Sequence, residues 1–325
     1  MIDLGTYTKP LAYLGLFTLG NTVFSLTRQA TNFLLPSTLN KCYNPTQTNW
    51  ALVTGATDGI GFGFAQELCA RGFNVIIHGR NAEKLDRRRR ELNALFPTVC
   101  VAVLVRDAQD LTVDIDDVDG EVRDIIRNNG TVGSKEDRGR LTVLINNVGG
   151  ETRPSTLLKE YTFQDVQATI SRNATFAIQI TRVLAEQLEQ NAPGLVMNVS
   201  SIAAFGLPYI TTYSSTKGFV DTFTKSLRAE FAAEGKKVEV MGLRVAEVST
   251  AGYDVKSSLF VPEARVLAAA GLDRVGCGQD IVWAYFWHWL QGLSFDYLPH
   301  WVLMKITVMK LKAIRADQEA KAKSS

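Results

Sequence analysis

The stretch Asn49-Trp50-Ala51-Leu52-Val53-Thr54-Gly55-Ala56-Thr57-Asp58-Gly59-Ile60-Gly61 decides how this chain is read. An apolar run ends in three closely spaced glycines, and a helical pattern follows from Phe62 to Arg71. Glycines at a strand-to-helix junction permit a tight turn and a close backbone approach. The helix N-terminus adds free N–H groups and a dipole that favours anions. Together these are what a dinucleotide pyrophosphate requires, so Gly55, Thr57, Asp58, Gly59, Ile60 and Gly61 are expected to contact a cofactor.

Outward from this turn, short apolar runs alternate with helical patterns. Phe73–His78, Val101–Val105, Leu141–Ile145, Gly194–Val199 and Val238–Leu243 read as strands, and Ala82–Phe96 and Tyr213–Glu234 as helices. Continuous apolar strands separated by helices imply an α/β fold, a parallel sheet covered on both faces in three αβα layers. The crossovers are long enough for right-handed βαβ units. No internal repeat is visible.

The second strand ends His78-Gly79-Arg80-Asn81, without the carboxylate that would bind a ribose 2′-hydroxyl. Arg80 carries a guanidinium fork suited to a 2′-phosphate, which points to NADPH/NADP. Asp107, after the third strand, is placed to bond the adenine edge, and a capping role for it stays open.

Tyr213 and Lys217 are four residues apart, on one face of the expected helix. A ketone reduced by hydride transfer must receive a proton, and a phenol with a nearby ammonium can supply it. Y-x-x-x-K alone is common. Its company here is Asn146-Asn147-Val148-Gly149 after the fourth strand and Asn198-Val199-Ser200-Ser201 after the fifth. With the glycine turn, these motifs make residues from about Asn49 to Thr250 resemble the short-chain dehydrogenase/reductase family. The form TGATDGIG, with the apolar N-terminal extension, looks more narrowly like the membrane-bound very-long-chain 3-oxoacyl-CoA reductases and related 17β-hydroxysteroid dehydrogenases.

The resemblance implies a Rossmann-type fold and specific roles. Tyr213 would be the general acid in reduction, and Lys217 would lower its pKa and hold the nicotinamide ribose. Asn173 would anchor a water leading from Lys217 to solvent, and Asn147 would secure the sheet edge of the cofactor site. The serine that orients the carbonyl is Ser201 by its position after the strand, or Ser200 by its spacing from the tyrosine. After the sixth strand the family pattern P-G-x-V-x-T becomes Val245-Ala246-Glu247-Val248-Ser249-Thr250. Val248 and Thr250 survive as expected cofactor contacts. Ala246 accepts positive φ less readily than glycine, so a displaced loop is expected.

The remaining composition limits the function. With 35 Lys+Arg against 33 Asp+Glu there is no basic excess to hold a nucleic acid. Cys42, Cys69, Cys100 and Cys277 form no C-x-x-C pair and only three histidines exist, so no metal site is expected. Three regions are read: residues 1–48 as an apolar segment and linker, 49–276 as the NADP-binding domain, and 277–325 as an aromatic-rich helical extension. No charge lies between Lys9 and Arg28, which suggests a membrane anchor, with a packed helix or a cleaved signal as the other readings. By resemblance the anchor would sit in the endoplasmic reticulum, with membrane lipids as partners and the catalytic domain facing the cytosol. The run Ile281–Leu290 and Trp301 suggest two helices broken at Pro299 and a wall for a lipid-like substrate. The expected activity is NADPH-dependent reduction of a ketone on a large hydrophobic or acyl-CoA substrate, with a homodimer as the open assembly. An oxidative dehydrogenase and a non-catalytic nucleotide-binding scaffold are the alternatives.

Overall fold

The six apolar runs lie side by side in one parallel sheet, joined by a seventh strand that the sequence does not announce. The computed structural model describes residues 4–110, 115–129, 139–151, 156–250, 252 and 255–324. After helix α1 (Leu4–Thr31) come β1 (Asn49–Val53), α2 (Gly59–Ala70), β2 (Asn74–Gly79), α3 (Ala82–Leu95) and β3 (Val101–Val105). The chain continues through α4 (Val118–Asn128), β4 (Arg140–Asn146), α5 (Phe163–Ile170), α6 (Phe176–Gln190), β5 (Gly194–Val199), α7 (Thr211–Ala233) and β6 (Val238–Arg244). It ends with α8 (Ala264–Leu272), β7 (Ile281–Trp283), α9 (Phe286–Tyr297) and α10 (His300–Ser324).

The strand order is β3-β2-β1-β4-β5-β6-β7, all parallel. The order reverses between β1 and β4, and open sheets of this kind bind ligands beyond the strand ends at that crevice. Every residue of β1 is buried, because the sheet has a core on each face. Ala51, Val53, Val75, Ile77, Val143 and Ile145 fill one core, whereas Trp50, Leu52, Ile76, Leu141 and Leu144 fill the other. Side chains alternate across a strand, so central strands read as unbroken apolar runs.

A buried polar rail ties the ends of the central strands to the helices behind them. Asn146 Nδ2 donates to Thr181 Oγ1 on α6 and to Asn198 Oδ1 on β5, both at 2.8 Å. Asn198 Nδ2 donates to Thr224 Oγ1 on α7 at 2.9 Å. In a low-dielectric interior such a chain fixes the register of β4, β5 and both helices, and so aims the loops that follow.

The two flanking regions differ from expectation. No helix among the described residues is long and apolar enough to cross a membrane, which overturns the membrane-anchor reading. With it fall the transmembrane helix and the endoplasmic-reticulum location. The physical reason is dilution: α1 is 28 residues long, but Thr18, Asn21, Thr22, Ser25, Thr27 and three glycines interrupt its leucines and phenylalanines. At the other end, Pro299 does separate two helices, α9 and α10. The aromatic run begins as strand β7, whose Ile281, Val282 and Trp283 pair with Gly242, Leu243 and Arg244 of β6. Residues after Gly276 therefore complete the sheet.

Candidate active site

A cleft of about 430 Å³ runs along the C-terminal ends of β1, β2, β4 and β5. At one end lie Gly55, Thr57, Asp58, Gly59 and Ile60, with Arg80 and Asp107; at the other lie Ser200, Tyr213 and Lys217.

The glycine turn is held by backbone closeness that only glycine allows. A Cβ on Gly61 would come within 2.2 Å of the Gly55 carbonyl oxygen and 2.5 Å of Asn147 Nδ2. Gly55 and Gly59 have φ of 65° and 55°, the left-handed region. Asn147 Nδ2 donates to the carbonyls of Thr54 and Gly55 at 3.1 and 3.2 Å, joining the ends of β4 and β1. This backbone-only cradle at the start of α2 fits a dinucleotide pyrophosphate. Asp58 caps the helix, accepting from Gly59 N at 2.7 Å, and its carboxylate lies 3.7 Å from Arg88. Arg88 also donates to the Thr57 carbonyl at 3.0 Å, so a cation stands behind the turn.

Arg80 is exposed, and its Nη1 donates to Gln109 Oε1 at 3.4 Å. Asp107 is exposed too; its Oδ1 accepts from Gln109 N at 3.0 Å, a local turn contact. Arg172 joins this wall from between α5 and α6, donating to the Gly150 carbonyl at 2.7 Å. Burial pushes its pKa down, with the Glu151 carboxylate opposing. Sequence reasoning passed over Arg172, one residue before Asn173, because a lone arginine carries no spacing signal.

At the other end, Ser201 Oγ accepts from Ala203 N at 3.1 Å, and the Ser201 side chain acts to lower the Tyr213 pKa. Ser200 is turned differently: its hydroxyl lies 3.4 Å from the Lys217 carbonyl and donates to it. Lys217 Nζ donates to the Val199 carbonyl at 2.7 Å and stands 5.7 Å from the centre of the Tyr213 ring. Burial pushes Lys217 down to about 8, while Asp221, one turn further along α7, opposes that shift. Burial raises the Tyr213 pKa, and the Ser201 side chain opposes that shift.

Asn173 sits in a π-turn, Ser171–Thr175, between α5 and α6. Its Oδ1 accepts from Gly150 N at 2.8 Å and its Nδ2 donates to Gly150 O at 2.9 Å. A Cβ on Gly149 would lie 3.2 Å from Asn173 Oδ1 and 3.3 Å from Lys217 Nζ, so this glycine lets the two approach.

The segment after β6 crosses the cleft from end to end. Val245 and Thr250 line it, and Thr250 Cγ2 would be 3.2 Å from a Cβ on Gly59. Val248 is buried in the core below and does not line the cleft. The loop carries no strained backbone at Ala246: Tyr209 is the non-glycine residue with positive φ among the described residues.

Residues 49–257 match the short chain dehydrogenase family. The very-long-chain 3-oxoacyl-CoA reductase-A of Danio rerio is 32% identical over 257 residues, 77% of this chain and 73% of that protein. Among solved structures, the short-chain dehydrogenase from Sphingobium yanoikuyae in complex with NADPH superposes with a TM-score of 0.58 at 22% identity. That similarity covers 78% of this chain and 97% of the other. A variant of the actinorhodin polyketide ketoreductase with NADPH gives a TM-score of 0.52 at 25% identity, over 63% and 72% of the two chains.

Proposed function

The chain belongs to the short-chain dehydrogenase family, closely related to its very-long-chain 3-oxoacyl-CoA reductases, and from that premise we propose that it is an NADPH-dependent reductase of a ketone on a large, lipid-like substrate. The observation that carries this reading is a single cleft lined both by the glycine turn and Arg80 and by Tyr213 and Lys217.

NADPH, when bound, supplies a hydride to the carbonyl carbon. The chain's residues do the rest. Gly55, Gly59 and Gly61 let backbone approach the pyrophosphate, Arg80 pairs with the 2′-phosphate, and Asp107 meets the adenine edge. Ser201 orients the carbonyl oxygen beside the Tyr213 hydroxyl. Tyr213 holds its proton at neutral pH, since burial raises its pKa, and gives it to the developing alkoxide. Lys217, still charged at neutral pH with a pKa of about 8, holds the cofactor ribose. Asn173 steadies Gly150 and, with it, the loop after β4.

An aromatic cluster outside the cleft lining begins in the turn after Ser201, and we take this wall as favouring an apolar substrate. Phe205 stacks on Phe295 at 4.8 Å between centroids, and Trp283 packs beside Phe205 at 6.5 Å. Long 3-oxoacyl-CoA thioesters are the substrate class that best joins this wall to the similarity with the Danio rerio protein.

The test is NADPH consumption with stoichiometric alcohol from a 3-oxoacyl-CoA, a steroid ketone and a polyketide-like ketone. Tyr213→Phe keeps the ring and removes the proton donor. Turnover is expected to fall by roughly 10²–10⁴-fold with NADPH affinity unchanged. Equal turnover in both proteins would remove Tyr213 as the acid.

A further inference from the structure

The family pattern restrains the segment after β6 with a proline, whose ring fixes φ. Here Val245-Ala246 has neither that ring nor a glycine, yet the segment must cross the cleft in a defined path. Its support comes from a distant part of the chain. His288, in the first turn of α9, is completely buried beneath it. Its Nδ1 accepts from the Ala246 N–H at 3.2 Å, and its Nε2 lies 3.1 Å from the Glu247 carbonyl oxygen.

The two contacts demand one state of the ring. A backbone N–H can only donate, so Nδ1 carries no proton; the proton of the neutral imidazole is then on Nε2, where it donates to Glu247. A single tautomer thus bonds the Ala246 N–H and the Glu247 carbonyl, which lie on the two peptide groups flanking the Ala246–Glu247 peptide. Burial keeps the ring neutral, pushing its pKa down to about 4. Tyr285 packs edge-on against the ring at 5.4 Å, fixing its orientation. Lys310 of α10 pairs with the Glu247 carboxylate at 2.9 Å, so a second helix of the same extension holds the same residue. The neighbouring Val245 carbonyl accepts from Ile202 N at 2.8 Å, which links the clamped peptide to the turn that carries Ser201.

We propose that His288 is a positioning residue for the reductase site: its neutral ring holds the 245–250 segment over the reacting end of the cleft, which makes the C-terminal extension a working part of the cofactor site. This rests on the function proposed above. It assigns His288 no contact with substrate or cofactor; its action passes through the backbone of Ala246 and Glu247.

The experiment compares wild type with His288→Phe, which keeps a ring but no polar atom, and with His288→Asn, which keeps an acceptor near Ala246. NADPH and adenosine 2′,5′-bisphosphate are titrated into each, the second ligand having no nicotinamide half. Losing two hydrogen bonds to the loop should weaken NADPH about tenfold in His288→Phe and about threefold in His288→Asn. Adenosine bisphosphate affinity should stay within about twofold, because the glycine turn and Arg80 lie outside the clamp. Hydrogen exchange should accelerate about tenfold in peptides spanning 245–250, with peptides from β4 and β5 unchanged. Equal weakening of both ligands would mean a general loss of structure, and unchanged NADPH affinity with unchanged exchange would mean no clamp; either overturns the proposal. If His288→Phe does not fold, the same comparison is made on His288→Asn, with the same two overturning results. A wild type that binds neither ligand, but whose 245–250 exchange still depends on His288, would defeat the reductase reading and leave the clamp standing.

Discussion

At the glycine-turn end of the cleft, Arg80 and Asp107 are exposed and each side chain is held by one residue, Gln109. At the tyrosine end, Lys217, Ser200, Ser201 and His288 are all buried, and Lys217, Ser200 and His288 each bond to backbone of another segment. The glycine turn at the first end is built from consecutive residues and reads as a motif. The second is assembled from β5, α7, the segment after β6 and α9, which lie up to 90 residues apart. Recognition of a charged, soluble group needs exposed partners, whereas moving a proton to a chosen atom needs groups fixed in a dry setting. Substitutions at the first end should therefore change which cofactor binds. Those at the second should change what happens to it.

The strongest way to break that contrast is Gly61→Ala. The added methyl would meet the Gly55 carbonyl at 2.2 Å, and both partners are backbone or are tied to it. Overpacking of this kind costs about 1–3 kcal/mol, so NADPH affinity should drop by up to roughly 100-fold. Calorimetric titration reads this directly. An affinity within twofold of wild type would show that the turn yields and that the cradle is not what holds the pyrophosphate.

A smaller effect is expected from Arg80→Asp. One charge-assisted contact is replaced by a repulsion, which should lower the preference for NADPH over NADH by about 10- to 100-fold. Arg88 stays behind the turn, paired with Glu91 at 2.7 Å, so the reversal need not be complete. kcat/KM for the two cofactors measures it; a wild type that already favours NADH would sink the assignment.

These two substitutions fall where the sequence was most legible, and the reasons are physical. Buried-on-both-sides strands read as apolar runs, so β1 to β6 could be located, and the glycine spacing is dictated by local backbone geometry. Strand β7 was not legible, because three residues inside an aromatic run look the same as the start of a helix. His288 was equally hidden: a lone histidine carries no signal, and its partners are 41 and 42 residues away. Tyr213 and Lys217 were visible as a spacing, but not the direction of the Lys217 ammonium. That depends on the Val199 carbonyl, which only folding brings near. The N-terminal segment misled because absence of charge was read as apolarity, although its threonines, glycines and Asn21 keep α1 below what spanning requires.

The pH dependence of the tyrosine end follows from Lys217. Its pKa is lowered to about 8, so the ammonium is lost as pH rises through that value. Reductive kcat/KM, which reports the free enzyme, should decline above about pH 8. Lys217→Arg keeps the charge well past that point, so its alkaline limb should move up by at least about one unit, whatever its absolute rate. A limb that stays near pH 8 in the arginine variant would assign it to a different group.

The smallest effect tests a feature the two ends share. His78 at the glycine turn accepts the Gly55 N–H at 3.3 Å through Nδ1, just as His288 accepts the Ala246 N–H at 3.2 Å through its own Nδ1. Each cleft end thus has one buried imidazole taking a backbone proton from a cofactor loop. Burial lowers both pKa values to about 4, from 6.5. The unfolded chain therefore binds more protons than the folded one between these values, and stability rises with pH there. The contribution is complete above pH 6.5, erodes as pH falls below it, and is lost as pH passes about 4. One unit below 6.5, each ring should already have cost about 1 kcal/mol relative to neutral pH. Urea unfolding at pH 7.5, 6.5 and 5.5 measures the slope, and His288→Asn should remove about half of the histidine part of it. Because protonation strips the acceptor from both rings, the two cofactor loops should loosen together as pH approaches about 4. If His288→Asn leaves the slope unchanged, the ring takes up its proton at the same pH in the folded and unfolded chain, and burial against Ala246 and Glu247 does not hold it neutral, so the two ends would differ in this respect as well.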